Sequence, residues 1–210
     1  KKINGKYCNS DGKIEKFWKR IWKEEFENHS YLSAFERLFG DDNNYKISEK
    51  VIKVINDSQE TYDNKILQAL YCDLYPVKKN FLKDIFGNME NETDYALTHK
   101  FWIAVILKEN GCKTENYNLD KSILAFAEKI AEEQERNGEV DDLYAERAAF
   151  LMNFGFKDKA KEEWIKELIK NQKPSGAWAT PTFFSKEFEN PHTTALAVWA
   201  LVEYSQSCPF

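Results

Sequence analysis

The chain has 210 residues, 42% of them hydrophobic and 15% aromatic, the size and composition of one globular domain with a substantial core, which disfavours disorder or a two-domain enzyme. Its 30 basic and 35 acidic residues leave a net charge of −5, a field that repels a phosphate backbone and disfavours nucleic acid as a partner. The longest apolar stretches, Phe101 to Leu107 and Ala195 to Val202, fall far short of the roughly 18 to 20 residues that cross a bilayer, so no transmembrane segment is expected.

Taken from the start, the chain opens on Lys1 with no apolar segment behind it, which reads as a mature product whose leader has been removed and predicts a secreted, soluble protein. Four cysteines without CxxC or Cys/His spacing do not read as a metal site. They allow two disulfides or four free thiols. Cys8 and Cys208 lie near termini that often meet, so that pair is favoured, with Cys72 and Cys112 as its complement. Ile14, Phe17, Trp18, Ile21, Trp22 and Phe26 form a helical stripe among lysines. A membrane-surface or partner-binding helix has this pattern, and so does the commoner core-facing helix with solvated lysines. Further helices are expected over 30–39, 46–56 and 60–75, with Ser30 and Ser48 as capping candidates. Asn28, Asn56 and Asn91 each begin an Asn-x-Ser/Thr acceptor, compatible with a secretory glycoprotein.

Residues 1–58 thus read as N-terminal helices of a single domain covering 1–210, and 59–210 as repeated helical hairpins of two alternating kinds. Asp63–Tyr75, Asp94–Lys108, Asp142–Phe154 and His192–Tyr204 are small and apolar on nearly all faces. Lys79–Phe86, Lys121–Arg136 and Lys157–Asn171 are amphipathic and highly charged. The first kind needs cover on most sides and the second lies outside, which predicts an all-α protein with inner and outer rings. Gln134…Gly138-Glu-Val140 and Gln172…Gly176-Ala-Trp178 recur 38 residues apart. Each glycine sits where a helix C-terminus needs a left-handed residue, and the apolar residue after it is expected to fold back on the barrel.

The segment from Lys166 to Tyr204, with Gln172, Gly176, Trp178 and Pro191-His-Thr-Thr-Ala-Leu-Ala-Val-Trp-Ala-Leu201, resembles the repeat of terpenoid cyclases and protein prenyltransferase β-subunits. At repeat level the resemblance covers about residues 60 to 210. It implies an α/α toroid, small or incomplete, enclosing an apolar cavity that takes an isoprenoid-like small molecule. In class II cyclases of that superfamily an Asp-x-Asp-Asp motif protonates an alkene. The matching run here is Glu139-Val140-Asp141-Asp142, so the resemblance makes Asp141 the proton donor, tuned by Glu139 and Asp142, although the first acid is Glu and a second barrel is absent. The other reading is that Asp141 and Asp142 cap and charge a helix start. Prenyltransferases instead hold zinc with Asp, Cys and His. His192 resembles the zinc histidine and Asp141 the aspartate, but Leu143 stands at the cysteine, and a site without that thiolate would have to recruit Glu146 or His99. No zinc, and no other cofactor, is therefore expected.

Asp94, His99, Asp142, Glu146 and His192 fall near starts of inner-type helices, which in a toroid converge on one end of the cavity. Carboxylates and imidazoles gathered there suit general acid/base chemistry, and His99 and His192 are the candidates least explained by capping. Tyr95, Trp102, Tyr144 and Trp199 are candidate cavity aromatics, beside the commoner reading of such residues as core. The function expected is binding or metal-independent transformation of a hydrophobic small molecule. The alternatives are a non-catalytic secreted domain that binds a protein partner and a carbohydrate-active α/α barrel with paired carboxylates in an aromatic cleft.

Overall fold

In a computed structural model, the described residues are 37, 47, 49–56, 61–114, 116–179 and 188–205. They form eight α-helices and no strand, so the described part of the chain is all-helical, as its sequence predicts. The helices are α1 (Glu49–Asn56), α2 (Tyr62–Leu70), α3 (Lys79–Phe86), α4 (Asp94–Glu109), α5 (Leu119–Arg136), α6 (Asp142–Asn153), α7 (Glu162–Lys170) and α8 (Pro191–Ser205). A short 3₁₀ turn, Met89–Asn91, precedes α4. The lysine-rich stripe over 14–26, Cys8, Cys208 and Asn28 lie outside the described residues. Among those residues, no helix is long and apolar enough to cross a membrane.

The chain divides into two compact units, Lys1–Gly87 with Ile103–Leu119, and Asn88–Trp102 with Asp120–Phe210. In the first, Val51, Ile55, Ile66, Leu67, Leu82 and Ile85 are buried. Thr61 caps α2, its hydroxyl accepting the Asn64 N–H at 3.3 Å. That helix stops at Leu70, short of the expected Tyr75, because the chain tightens into a turn in which the Tyr75 N–H reaches the Tyr71 carbonyl at 2.7 Å. Pro76 follows and disfavours a helical Tyr75. The carbonyls freed at the end of α2 find donors: Leu70 accepts from Asn110 Nδ2 at 3.0 Å and from the Arg37 guanidinium at 2.6 Å. Just beyond, Cys72 and Cys112 form a disulfide with Cα atoms 5.7 Å apart, the pairing expected from the sequence.

The second unit shows the contrast between helix types directly. In α5 the buried residues include Ile123, Phe126, Ala127 and Ile130, one stripe of an amphipathic helix. In α6 every residue from Asp142 to Met152 is buried. Alongside α6 runs α8, and small side chains, among them Ala145, Ala148, Ala197 and Ala200, have no exposed surface, which permits close approach of helix axes. The start of α7 comes at Glu162 rather than Lys157, because Lys157–Ala160 is taken up by tight turns, with Lys159 N–H on Phe156 O at 3.0 Å and Ala160 N–H on Lys157 O at 3.2 Å.

The Gln172–Trp178 motif closes the link from α7 to α8. Gly176 has φ 91°, a left-handed conformation that only glycine adopts without strain. The Gln172 amide donates to the Gly176 carbonyl at 2.9 Å, and the Lys173 N–H bonds Ala177 O at 2.9 Å. Trp178 folds back and is 1% exposed, its indole N–H donating to Leu168 O at 2.7 Å. The expected parallel at Gly138 fails. Its φ is not left-handed and Val140 is only half-buried. The physical reason is that Gln134 still lies inside α5, buried, with its amide on Tyr144 O at 3.4 Å, instead of spanning a turn as Gln172 does.

Candidate functional site

Three helix starts of the second unit supply the site. Asp141 caps α6, its carboxylate accepting the Tyr144 N–H at 2.8 Å, and this frees the next residue, Asp142, to point away from the cap. Asn190 does the same for α8, accepting the His192 N–H at 2.9 Å, with Pro191 in the first helical position where it lacks nothing. Helix α4 begins at Asp94, whose φ of 53° is left-handed. Its N–H donates to Glu133 Oε2 at 3.2 Å. The same Glu133 oxygen accepts from Arg147 at 2.7 Å, and Arg147 also reaches Asp94 at 3.4 Å. This ion cluster, with Arg147 and Glu133 buried and Asp94 exposed, fixes where Tyr95 starts its turn.

From these starts the side chains converge on Asp142, which is buried. Tyr95 donates its hydroxyl to Oδ2 at 2.9 Å. Thr193 donates to Oδ1 at 2.7 Å, and His192 Nδ1 lies 2.8 Å from the same oxygen. Against a carboxylate, Nδ1 carries the proton and the free lone pair is on Nε2. His192 itself is 63% exposed. Burial of the Tyr95 hydroxyl, its hydrogen bond to Asp142 and the charges of Asp142, Glu146 and Asp141 push the phenol well above its ordinary range.

One turn further along each helix lie His99 and Glu146. His99 Nδ1 donates to the Tyr95 carbonyl at 2.7 Å and stands 3.9 Å from Glu146 Oε1, too far for a hydrogen bond. Glu146 has 4% of its side chain exposed, and Oε1 has no hydrogen-bond partner. Burial raises its carboxyl pKa, opposed by the Thr98 hydroxyl and the His99 imidazole and reinforced by Asp142. A buried acid without a full complement of donors is best accommodated as the neutral carboxyl.

A further turn in, the residues become aromatic. Phe150, four residues beyond Glu146, packs against Trp102 at 5.7 Å and Trp199 at 5.9 Å between ring centroids. Both tryptophans are half-buried. Beyond them Phe154 lies 5.4 Å from Phe150 and 5.5 Å from Phe101, continuing the aromatic contacts into the core.

Asp142, Glu146 and His192 each offer a ligand atom, and these atoms lie within 4.8 Å of one another. As folded, however, Asp142 is already committed at both oxygens and His192 Nδ1 is committed to Asp142, so the trio is organised by its own hydrogen bonds. Compared with family models, with curated proteins and with solved structures, the chain matches none.

Of the residues singled out from sequence, Tyr95, His99, Asp142, Glu146 and His192 come together at the starts of α4, α6 and α8, and Trp102 and Trp199 meet over Phe150. Asp141 is half-buried beside them, engaged as the cap of α6. Tyr144 is on another face of α6: its hydroxyl donates to Trp164 O at 3.3 Å, and burial with the Glu167 charge pushes its phenol up to about 12. Sequence reasoning missed Thr193, whose signal was its place in the Pro-His-Thr-Thr run, and the Arg147–Glu133 pair, for which spacing gave no signal because 14 residues and a helix boundary separate the partners.

Proposed function

We propose that this chain is a terpenoid-cyclase-like α/α toroid that binds an apolar small molecule over Trp102 and Trp199 and exchanges protons with it at Glu146, without a metal or other cofactor. The observation that carries the reading is the Glu146 carboxyl, buried, raised in pKa and lacking a hydrogen-bond partner at Oε1. An acid held above its ordinary range by burial can deliver its proton to an electron-rich carbon or oxygen placed against it. The proton leaves the carboxyl for the substrate, and the carboxylate left behind is next to the His99 imidazole. Asp142 is held in place by Tyr95, Thr193 and His192, and the lone pair on His192 Nε2 is directed away from that carboxylate, available as an acceptor. Positive charge formed on an apolar substrate would meet the faces of Trp102, Phe150 and Trp199, which attract cations. The disulfide suits an oxidising, extracytoplasmic compartment.

Native mass spectrometry of the protein isolated from its natural source tests this. The expected result is a small organic adduct that Glu146→Gln retains and Trp102→Ala with Trp199→Ala loses. A chain that carries no adduct and takes up none from a panel of isoprenoid alcohols would overturn it.

A further inference from the structure

We infer that the group recognised beside Glu146 is an amine bound as its ammonium: an apolar amine displaces the Glu146 proton, its nitrogen sitting between the carboxylate so formed and Asp142 and its body against Trp102 and Trp199. This rests on the proposed small-molecule site and names the chemistry of its ligand.

The head of the site is anionic. Asp141 and Asp142 bring two acids to the start of α6, and Glu146 adds a third one turn further along. Arg147, next to Glu146 in sequence, is engaged with Glu133 at 2.7 Å, and Lys100, next to His99, with Glu92 at 2.7 Å. Burial raises the Tyr95 phenol first, and the charges of Asp142, Glu146 and Asp141 add to that rise.

Within that head, what is missing is a donor. Asp142 accepts from Tyr95, Thr193 and His192, which saturates the near sides of its two oxygens. Glu146 Oε1, in a side chain 4% exposed, accepts from nothing. A buried acceptor left open calls for an N–H or O–H from outside. An inorganic cation held by Asp142, Glu146 and His192 would have to compete with the Tyr95, Thr193 and His192 hydrogen bonds already made to Asp142. An ammonium meets no such competition: it has up to three N–H donors and no acceptor, so it complements Glu146 without challenging Asp142's existing partners.

The aromatic layer supplies the second half of the ligand's shape. Glu146 and Phe150 are four residues apart on α6, a rise of about 6 Å along the axis, which is the reach from an ammonium to the third or fourth carbon of its chain. Trp102 and Trp199 flank Phe150 at that level and remain half-exposed, so apolar area is available where the body of the amine would lie. Aromatic faces close to a cation add attraction that a neutral or anionic headgroup would not receive.

Isothermal titration of the unmodified protein with three probes of equal chain length, octylamine, octan-1-ol and octanoate, reads the headgroup alone. Octylamine is expected to bind at least about tenfold more tightly than octan-1-ol, as a charge-assisted hydrogen bond in a buried site predicts, with octanoate weakest. In Glu146→Gln, shown folded by its thermal transition, the amine should lose that preference while octan-1-ol binds as before. Equal affinity for the amine and the alcohol would overturn the ammonium and leave the apolar site standing. Failure of both to bind would overturn the ammonium together with the site beneath it. Micromolar binding of Mn²⁺ or Zn²⁺ that octylamine cannot displace would overturn it in favour of an inorganic cation.

Discussion

Glu146 makes a prediction at the scale of one proton. Its carboxyl is raised in the folded chain by burial, with His99 and Thr98 facing it from α4, His192 from α8 and Asp142 on its own helix. The folded state therefore keeps a proton over a pH window in which the unfolded chain has released it. Below the window stability is at its full value, and it falls as pH rises from the ordinary carboxylate value up to the raised one. Glu146→Gln has no proton to lose there. Urea unfolding of both proteins between about pH 4 and pH 8 should show the wild type losing ground to the variant as pH increases. A pH-independent difference between the two would sink the neutral-acid reading. Much of this site could be read from sequence, since Tyr95, His99, Asp142, Glu146 and His192 were marked by being titratable or aromatic at inner-type helix starts. What could not be read was which acid is free. Asp141 and Asp142 are adjacent and alike, and only the backbone geometry of the cap shows that the first is used by Tyr144 N–H and the second by side chains.

Helices behaved as their composition dictates. An all-round apolar segment such as α6 can exist only under cover, and a segment like α7, with Trp164, Ile165 and Leu168 buried on one side, only at a boundary with water. That asymmetry is printed in the sequence, which is why the amphipathic and apolar helices were legible. Their ends were less so, because turns compete with the last helical residues: Tyr71–Tyr75 and Lys157–Ala160 carry apolar spacing yet close i to i+3 or i+4 turns outside the helices. The start of α6 can be tested as an element. Asp141→Ala removes the side-chain acceptor for Tyr144 N–H and is expected to cost about 0.5 to 2 kcal/mol in denaturant unfolding. If Asp141 acts only as a cap, ligand affinity at saturating stability should be unchanged. Lost affinity with undiminished stability would instead give Asp141 a role in the site.

For the molecule as a whole, the covalent link is the clearest lever. Cys72 and Cys112 are 40 residues apart, and constraining a loop of that length in the unfolded chain stabilises the folded one by about 4 kcal/mol in the chain-entropy account. Cys72→Ser with Cys112→Ser is expected to lower the unfolding free energy by roughly that amount, read by guanidinium titration under non-reducing conditions. A loss below about 1 kcal/mol would mean that the unfolded chain is already compact across this loop. The pairing was legible because the position of Cys8 and Cys208 near the ends of the sequence left Cys72 and Cys112 as each other's complement. The repeat at Gly138 was misjudged for the opposite reason: similarity of letters to the Gln172 motif concealed that α5 runs past the glutamine while α7 ends before it.

The left-handed start of α4 also bears on the order in which the chain acquires structure. An aspartate at φ 53° is disfavoured by roughly 1 kcal/mol or more when nothing holds it. What holds it is remote: Glu133 accepts its N–H from 39 residues away, and Arg147 meets its carboxylate from 53 residues away. The first turn of α4 is thus not a local event in folding. It waits on two long loop closures, whose entropy must be met before the turn that presents Tyr95 becomes favourable. The residues that assemble the site are consequently expected to be among the last parts of the second unit to find their native geometry, after α5 and α6 have docked.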